Sequence, residues 1–220
     1  MVFTGDLRYV STKERLIPDF YDTTYPGLFD IRSTVLGKWL STKPGLLQIG
    51  GFLFAHGGVP PAYADYSVEA FNDTLSTFIS EDLFYRWADT TYMPEIDQEA
   101  YERRWDFFFG DESVFWYRGY VTSDTLGDAL GEVLDRYEAE AHVVAHTPVT
   151  PIRSMYEGRL IAVDLNDPAS QMLFLERDGD TYRRWAFGSR GAPEPLEGEA
   201  MKSEGPGLPE PEPSGKDVPR

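Results

Sequence analysis

Three histidines, His56, His142 and His146, are the residues best suited to chemistry in this 220-residue chain. Two have matching surroundings. LFAHGG places His56 after an apolar run and before two glycines, and VVAHTP places His146 after a second apolar run and before a turn proline. Imidazole serves as proton carrier, general base or metal ligand. Ligand sites of open α/β sheets form outside the carboxyl ends of the strands, so two such imidazoles could converge on one ion. Nitrogen ligands suit Zn, Mn or Fe better than Ca. Gly57 and Gly58 would let backbone pass close to that ion. The plainer reading of a strand-end histidine is a hydrogen-bonded structural residue. His142 takes that reading: it shares the strand face of His146 but lies ~13 Å back along the strand.

Two imidazoles alone make a poor metal site, because two-metal hydrolases also need carboxylates. The chain has 37 acidic residues, but no spacing picks out which would serve. No GxSxG, P-loop or GxGxxG motif occurs. With no cysteine, there is no disulfide, thiolate metal site or cysteine nucleophile.

The elements that must position the histidines follow from periodicity. Residues 28–40 carry apolar side chains at near-helical spacing, stopped by Pro44-Gly45. Residues 46–55 read as one buried strand with an internal Gly-Gly, and residues 66–84 as an amphipathic helix. Residues 98–109 read as a helix and 114–117 as a short strand. Ser123 or Asp124 is a candidate N-cap for a helix ending at Ala139, and residues 142–145 form the strand before His146. Two hairpins follow, 152–163 and 171–185, the second around Asp178-Gly179. Strands alternating with helices, then hairpins, indicate an α/β sheet extended by antiparallel strands. Residues 191–220 hold seven prolines, five glycines and no aromatic residue, the composition of a disordered tail.

A net charge of −17 argues against a nucleic-acid surface, which needs clustered Lys and Arg. No run of about 18 apolar residues exists, so no membrane span is expected. The amino-terminal residues lack the pattern of a signal peptide, and the compartment is left open.

Five segments together resemble a known family. FAHGGVPP is similar to the HGG block of calcineurin-like metallophosphoesterases, and VVAHTPV to their GHT block with Ala145 in place of glycine. Between them, SVFWYRGY resembles the WYRG segment of the Shewanella-like protein phosphatase branch. IAVDLNDPAS resembles the strand after GHT, and TGDLRYVS the segment just downstream of the family's GNHE block. The resemblance runs from Gly5 to about Trp185.

The resemblance implies a metal-dependent phosphoesterase, a hydrolase that cleaves phosphomonoesters with a binuclear divalent metal centre (Mn, Fe or Zn). His56 and His146 would ligate one ion of that centre. Arg118 would be a catalytic residue near the substrate phosphate, where a guanidinium pairs bidentately. Asp164 would close a turn, and Asp6 and Arg8 would orient the entry loop. The implied substrate is a phosphoprotein or small phosphoester. The GDxHG, GDxxDRG and GNHE blocks do not occur here, so the resemblance implies an incomplete site. The expectation is the C-terminal part of a four-layer α/β/β/α sandwich, with a partial phosphoesterase domain over 1–190 and a tail over 191–220. Met1 would then be an internal methionine taken as a start, or the sequence a fragment; an apolar sheet edge would be exposed, and the chain alone would be inactive. The alternative is a non-catalytic remnant that binds a partner.

Overall fold

A computed structural model describes residues 10–80, 98–167, 170–179, 181–188 and 192–196. Asp6, Arg8 and most of the expected tail lie outside the described residues.

The centre is a five-stranded sheet in the order β1-β2-β3-β5-β4, made from β1 (Leu46–Ile49), β2 (Phe52–Ala55), β3 (Ala141–Val144), β4 (Arg153–Met155) and β5 (Leu160–Ala162). β2, β3 and β5 run parallel, and the two edge strands are antiparallel to their neighbours. A second sheet holds β6 (Gln171–Asp178), β7 (Thr181–Gly188) and the short β8 (Glu194–Pro195). The α/β class with terminal antiparallel hairpins is therefore as the sequence indicates.

Side-chain alternation along the strands explains the layering. Phe52, Ala141, Val143 and Ile161 point to one face, where they bury against Ala186, Leu173 and Leu175 of the second sheet. Leu46 and Leu53 point to the other face, against Phe71, Leu75 and Phe78 of α1 (Val68–Ser80) and Tyr101 and Phe108 of α2 (Gln98–Phe109). Leu130 and Leu134 of α3 (Gly127–Arg136) cover Val144, Leu160 and Ala162. Among the described residues this gives helices, sheet and sheet in three layers.

Four local expectations differ. The strand expected over 46–55 is a hairpin, because Gly50 and Gly51 adopt φ of +56° and +84° and pair Ile49 with Phe52. Positive φ at both central residues matches the right-handed twist of the flanking strands. The helix expected over 28–40 is a 3-10 turn at Pro26–Phe29 and a helix at Val35–Ser41. Thr34 divides them: its hydroxyl accepts from the Gly37 amide and caps the second helix. Residues 114–117 are not a strand; the Ser113 carbonyl takes the amides of Trp116 and Tyr117 in local turns. α3 begins at Gly127 without a side-chain cap, so neither Ser123 nor Asp124 caps it.

Among the described residues no helix is long and apolar enough to cross a membrane.

Candidate functional site

The parallel pairing of β2 with β3 puts Ala55 beside Val144, and one step further the Ala145 amide donates to the His56 carbonyl at 2.9 Å. His56 and His146 thus leave the carboxyl ends of adjacent strands together. Their ring centroids are 5.0 Å apart.

Each loop is fixed by contacts that its sequence requires. The amides of Gly57 and Gly58 both donate to the Val114 carbonyl, at 2.8 and 3.1 Å. A Cβ on Gly57 would stand 2.8 Å from backbone atoms of Phe115, Trp116 and Tyr117, so only glycine lets the two chains approach. The aromatic run read as a strand is a loop clamped onto the glycines. His142 is fully buried and holds the other end. Its Nε2 accepts from the Val59 amide at 2.9 Å, which places its proton on Nδ1, 2.8 Å from the Leu53 carbonyl. Its structural reading fits this environment.

His146 sits at φ +59°, and the Thr147 amide donates across it to Ala145 at 2.6 Å. Such a three-residue turn at positive φ costs a non-glycine residue ~1–3 kcal/mol. Arg118 Nη1 donates to the His146 carbonyl at 3.0 Å. Trp116 meets the His146 ring edge-on, with centroids 4.7 Å apart at 85°. The Nε2 of His146 is buried and has no hydrogen-bond partner.

Burial pushes the His146 pKa down to about 4, helped by the charges of Arg118 and His56 and opposed by Asp164. His56 keeps an exposed edge, yet desolvation of the covered part still lowers its pKa; Asp164 opposes this and Arg118 adds to it. Both imidazoles are therefore biased toward the neutral form, the form that binds a metal ion. Asp164 follows β5, the third parallel strand, so all three parallel strands send a titratable side chain toward one end of the sheet. The Asp164 carbonyl accepts from Val149 at 2.7 Å in a parallel bridge between Val149 and Leu165 rather than in a turn, while its carboxylate acts electrostatically on both rings. That second effect was not read from sequence, though the strand-end position was a signal for it.

The donor set fits one ion in part. Two neutral imidazoles, one with an orphaned nitrogen, suit two positions on a single ion. Among the described residues no group of three or more His, Cys, Asp or Glu stands close enough to hold one. Among the described residues no further ligands for a binuclear centre stand at this site.

No family model matches the chain. Among solved structures, the cold-active protein-tyrosine phosphatase of a psychrophilic Shewanella species is similar, with a TM-score of 0.69 and 23% identity over 90% of this chain and 56% of that one. Another cold-active protein tyrosine phosphatase structure gives 0.70 and 22% identity, over 90% and 55%. The fold is shared with these phosphatases. The chain spans little more than half the length of the structures it matches.

Beside His56 lies a cleft of about 290 Å³, walled by Leu47, Phe54, Val143 and Val163. Leu47 and Ile49 on edge strand β1 are 41% and 56% exposed.

Proposed function

We propose that this chain supplies the histidine side of a metal-dependent phosphoesterase site, and that it acts on phosphorylated substrates as a protein phosphatase once further ligands are present. The observation that carries the reading is the 5.0 Å approach of the His56 and His146 rings at the ends of adjacent parallel strands. The similar fold of two cold-active protein-tyrosine phosphatase structures supports it. His56 and His146 would hold one divalent ion (Mn, Fe or Zn) of a centre that is binuclear when complete. A divalent ion would supply Lewis acidity toward a phosphoryl oxygen and a more acidic bound water.

The chain's own residues do three things. The two imidazoles offer neutral nitrogen donors at neutral pH. Arg118 stands at the rim with an exposed guanidinium, one N–H already committed to the His146 carbonyl and others available to phosphate oxygens. The loop of residues 113–118 and the Gly57-Gly58 turn hold these groups in register.

Two nitrogen ligands make a weak site, so residues 1–220 alone are expected to show negligible phosphatase activity. The missing donors would come from polypeptide outside the described residues. Paramagnetic Mn²⁺ tests the placement. At low Mn²⁺, the ring resonances of His56 and His146 should broaden together while those of buried His142 broaden less. Broadening confined to surface carboxylates would overturn the reading.

A second reading rests on the exposed Leu47 and Ile49 beside the apolar cleft. Among the described residues β1 lies at the sheet edge, with only the outward amide and carbonyl of Leu46 taken, by Asn72, and an edge strand with apolar side chains is a template for another chain. In this reading the chain is a partner-binding module without catalysis, and the cleft beside His56 is where the partner lies.

A further inference from the structure

We propose that Trp116 is a positioning residue for His146, holding its imidazole at the proposed ion position while Arg118 holds its backbone carbonyl. The inference rests on the ion-site reading above.

His146 occupies a conformation that it does not favour by itself. Its φ is +59°, within a three-residue turn closed by Thr147 and Ala145. Nothing within that turn fixes the ring, because its Nε2 is buried without a hydrogen-bond partner. A metal-ligating histidine is commonly oriented by a hydrogen bond from its second nitrogen to a carboxylate or carbonyl. The ring of His146 makes no such bond among the described residues. A ring contact takes that place: the indole of Trp116 meets the imidazole at 4.7 Å and 85°. Edge-to-face pairs of this kind have a preferred geometry and so restrict ring rotation.

Trp116 is itself fixed. Its amide donates to the Ser113 carbonyl at 2.9 Å, and Gly57 packs against its backbone with no room for a Cβ. Two residues on, Arg118 Nη1 holds the His146 carbonyl at 3.0 Å. One short segment therefore grips His146 at both its ring and its backbone, and the same segment is tied through Val114 to the loop carrying His56. The distance between the two imidazoles is set by residues that ligate nothing.

The test uses the full 220-residue chain with Trp116→Leu, which keeps an apolar side chain but removes the ring, and Trp116→Phe, which restores an aromatic edge. Two quantities are read: the ring-proton shifts of His146 in metal-free protein, and the Zn²⁺ affinity from titration of the same resonances. We expect Trp116→Leu to remove the ring-current displacement of His146 and to weaken Zn²⁺ binding by about tenfold, the scale of a lost orienting contact. Trp116→Phe should recover most of both. Thermal melting identifies any loss that comes from unfolding. The proposal is overturned if Trp116→Leu leaves the His146 shifts in place, or moves them while Zn²⁺ affinity stays that of the wild type. If the wild-type chain takes up no Zn²⁺ at these rings, the ion site itself falls and the proposal falls with it.

Discussion

His142 Nε2 accepts the amide proton of Val59 at 2.9 Å, across 83 residues of sequence. The Val59 carbonyl is taken by the Tyr120 hydroxyl at 2.9 Å. Both backbone groups of the residue after His56-Gly57-Gly58 are therefore held by buried side chains, and this fixes where the glycine turn lies relative to β3.

The His142 imidazole must stay neutral for that bond to persist. Burial pushes its pKa down to about 4, against an ordinary value near 6.5. As pH falls the unfolded chain takes up the proton first. The contribution is complete above about pH 6.5 and is lost as pH falls toward 4. The shift corresponds to roughly 3 kcal/mol. Urea unfolding should show that much extra acid sensitivity in the wild type relative to His142→Gln, which does not titrate. Identical pH profiles for the two proteins would refute it.

Gly57 is required by packing rather than by φ. An added Cβ would meet three backbone positions of the 115–117 segment at 2.8 Å, and backbone cannot yield as a flexible side chain does. Gly57→Ala should cost ~2–3 kcal/mol of stability, the scale of an overpacked core position. Denaturant titration measures it; a loss below about 0.5 kcal/mol would mean that the loop moves freely.

Arg118 offers a direct probe of anion binding. Phosphate titrated into the chain with chelator present should bind weakly through Arg118, and Arg118→Ala should abolish that signal. Arg118→Lys should recover only part of it, since an ammonium lacks the planar fork. Phosphate binding unchanged in Arg118→Ala would place the anion elsewhere.

The sequence carries the histidine positions well because apolar runs ending in Ala-His are short buried strands, and parallel strands align their carboxyl ends. It misreads the segments whose conformation is set by distant contacts. The aromatic residues at 115–117 have strong strand propensity, yet the fold uses them as a loop clamped to Gly57, and tertiary packing overrides propensity there. Gly50-Gly51 sits inside an apolar run and reads as continuous strand, although paired glycines between strands are also a hairpin turn signal. The reach of Asp164 to both rings depends on β5 lying beside β3, a pairing that no local pattern encodes.

The most direct measurement is equilibrium Zn²⁺ or Mn²⁺ binding to the 220-residue chain, with p-nitrophenyl phosphate turnover followed in the same samples. One weakly held ion per chain is expected, lost in both His56→Ala and His146→Ala, with no turnover above background. Binding that survives both substitutions would contradict the histidine site. Two tightly held ions with turnover abolished by His56→Ala would contradict its incompleteness.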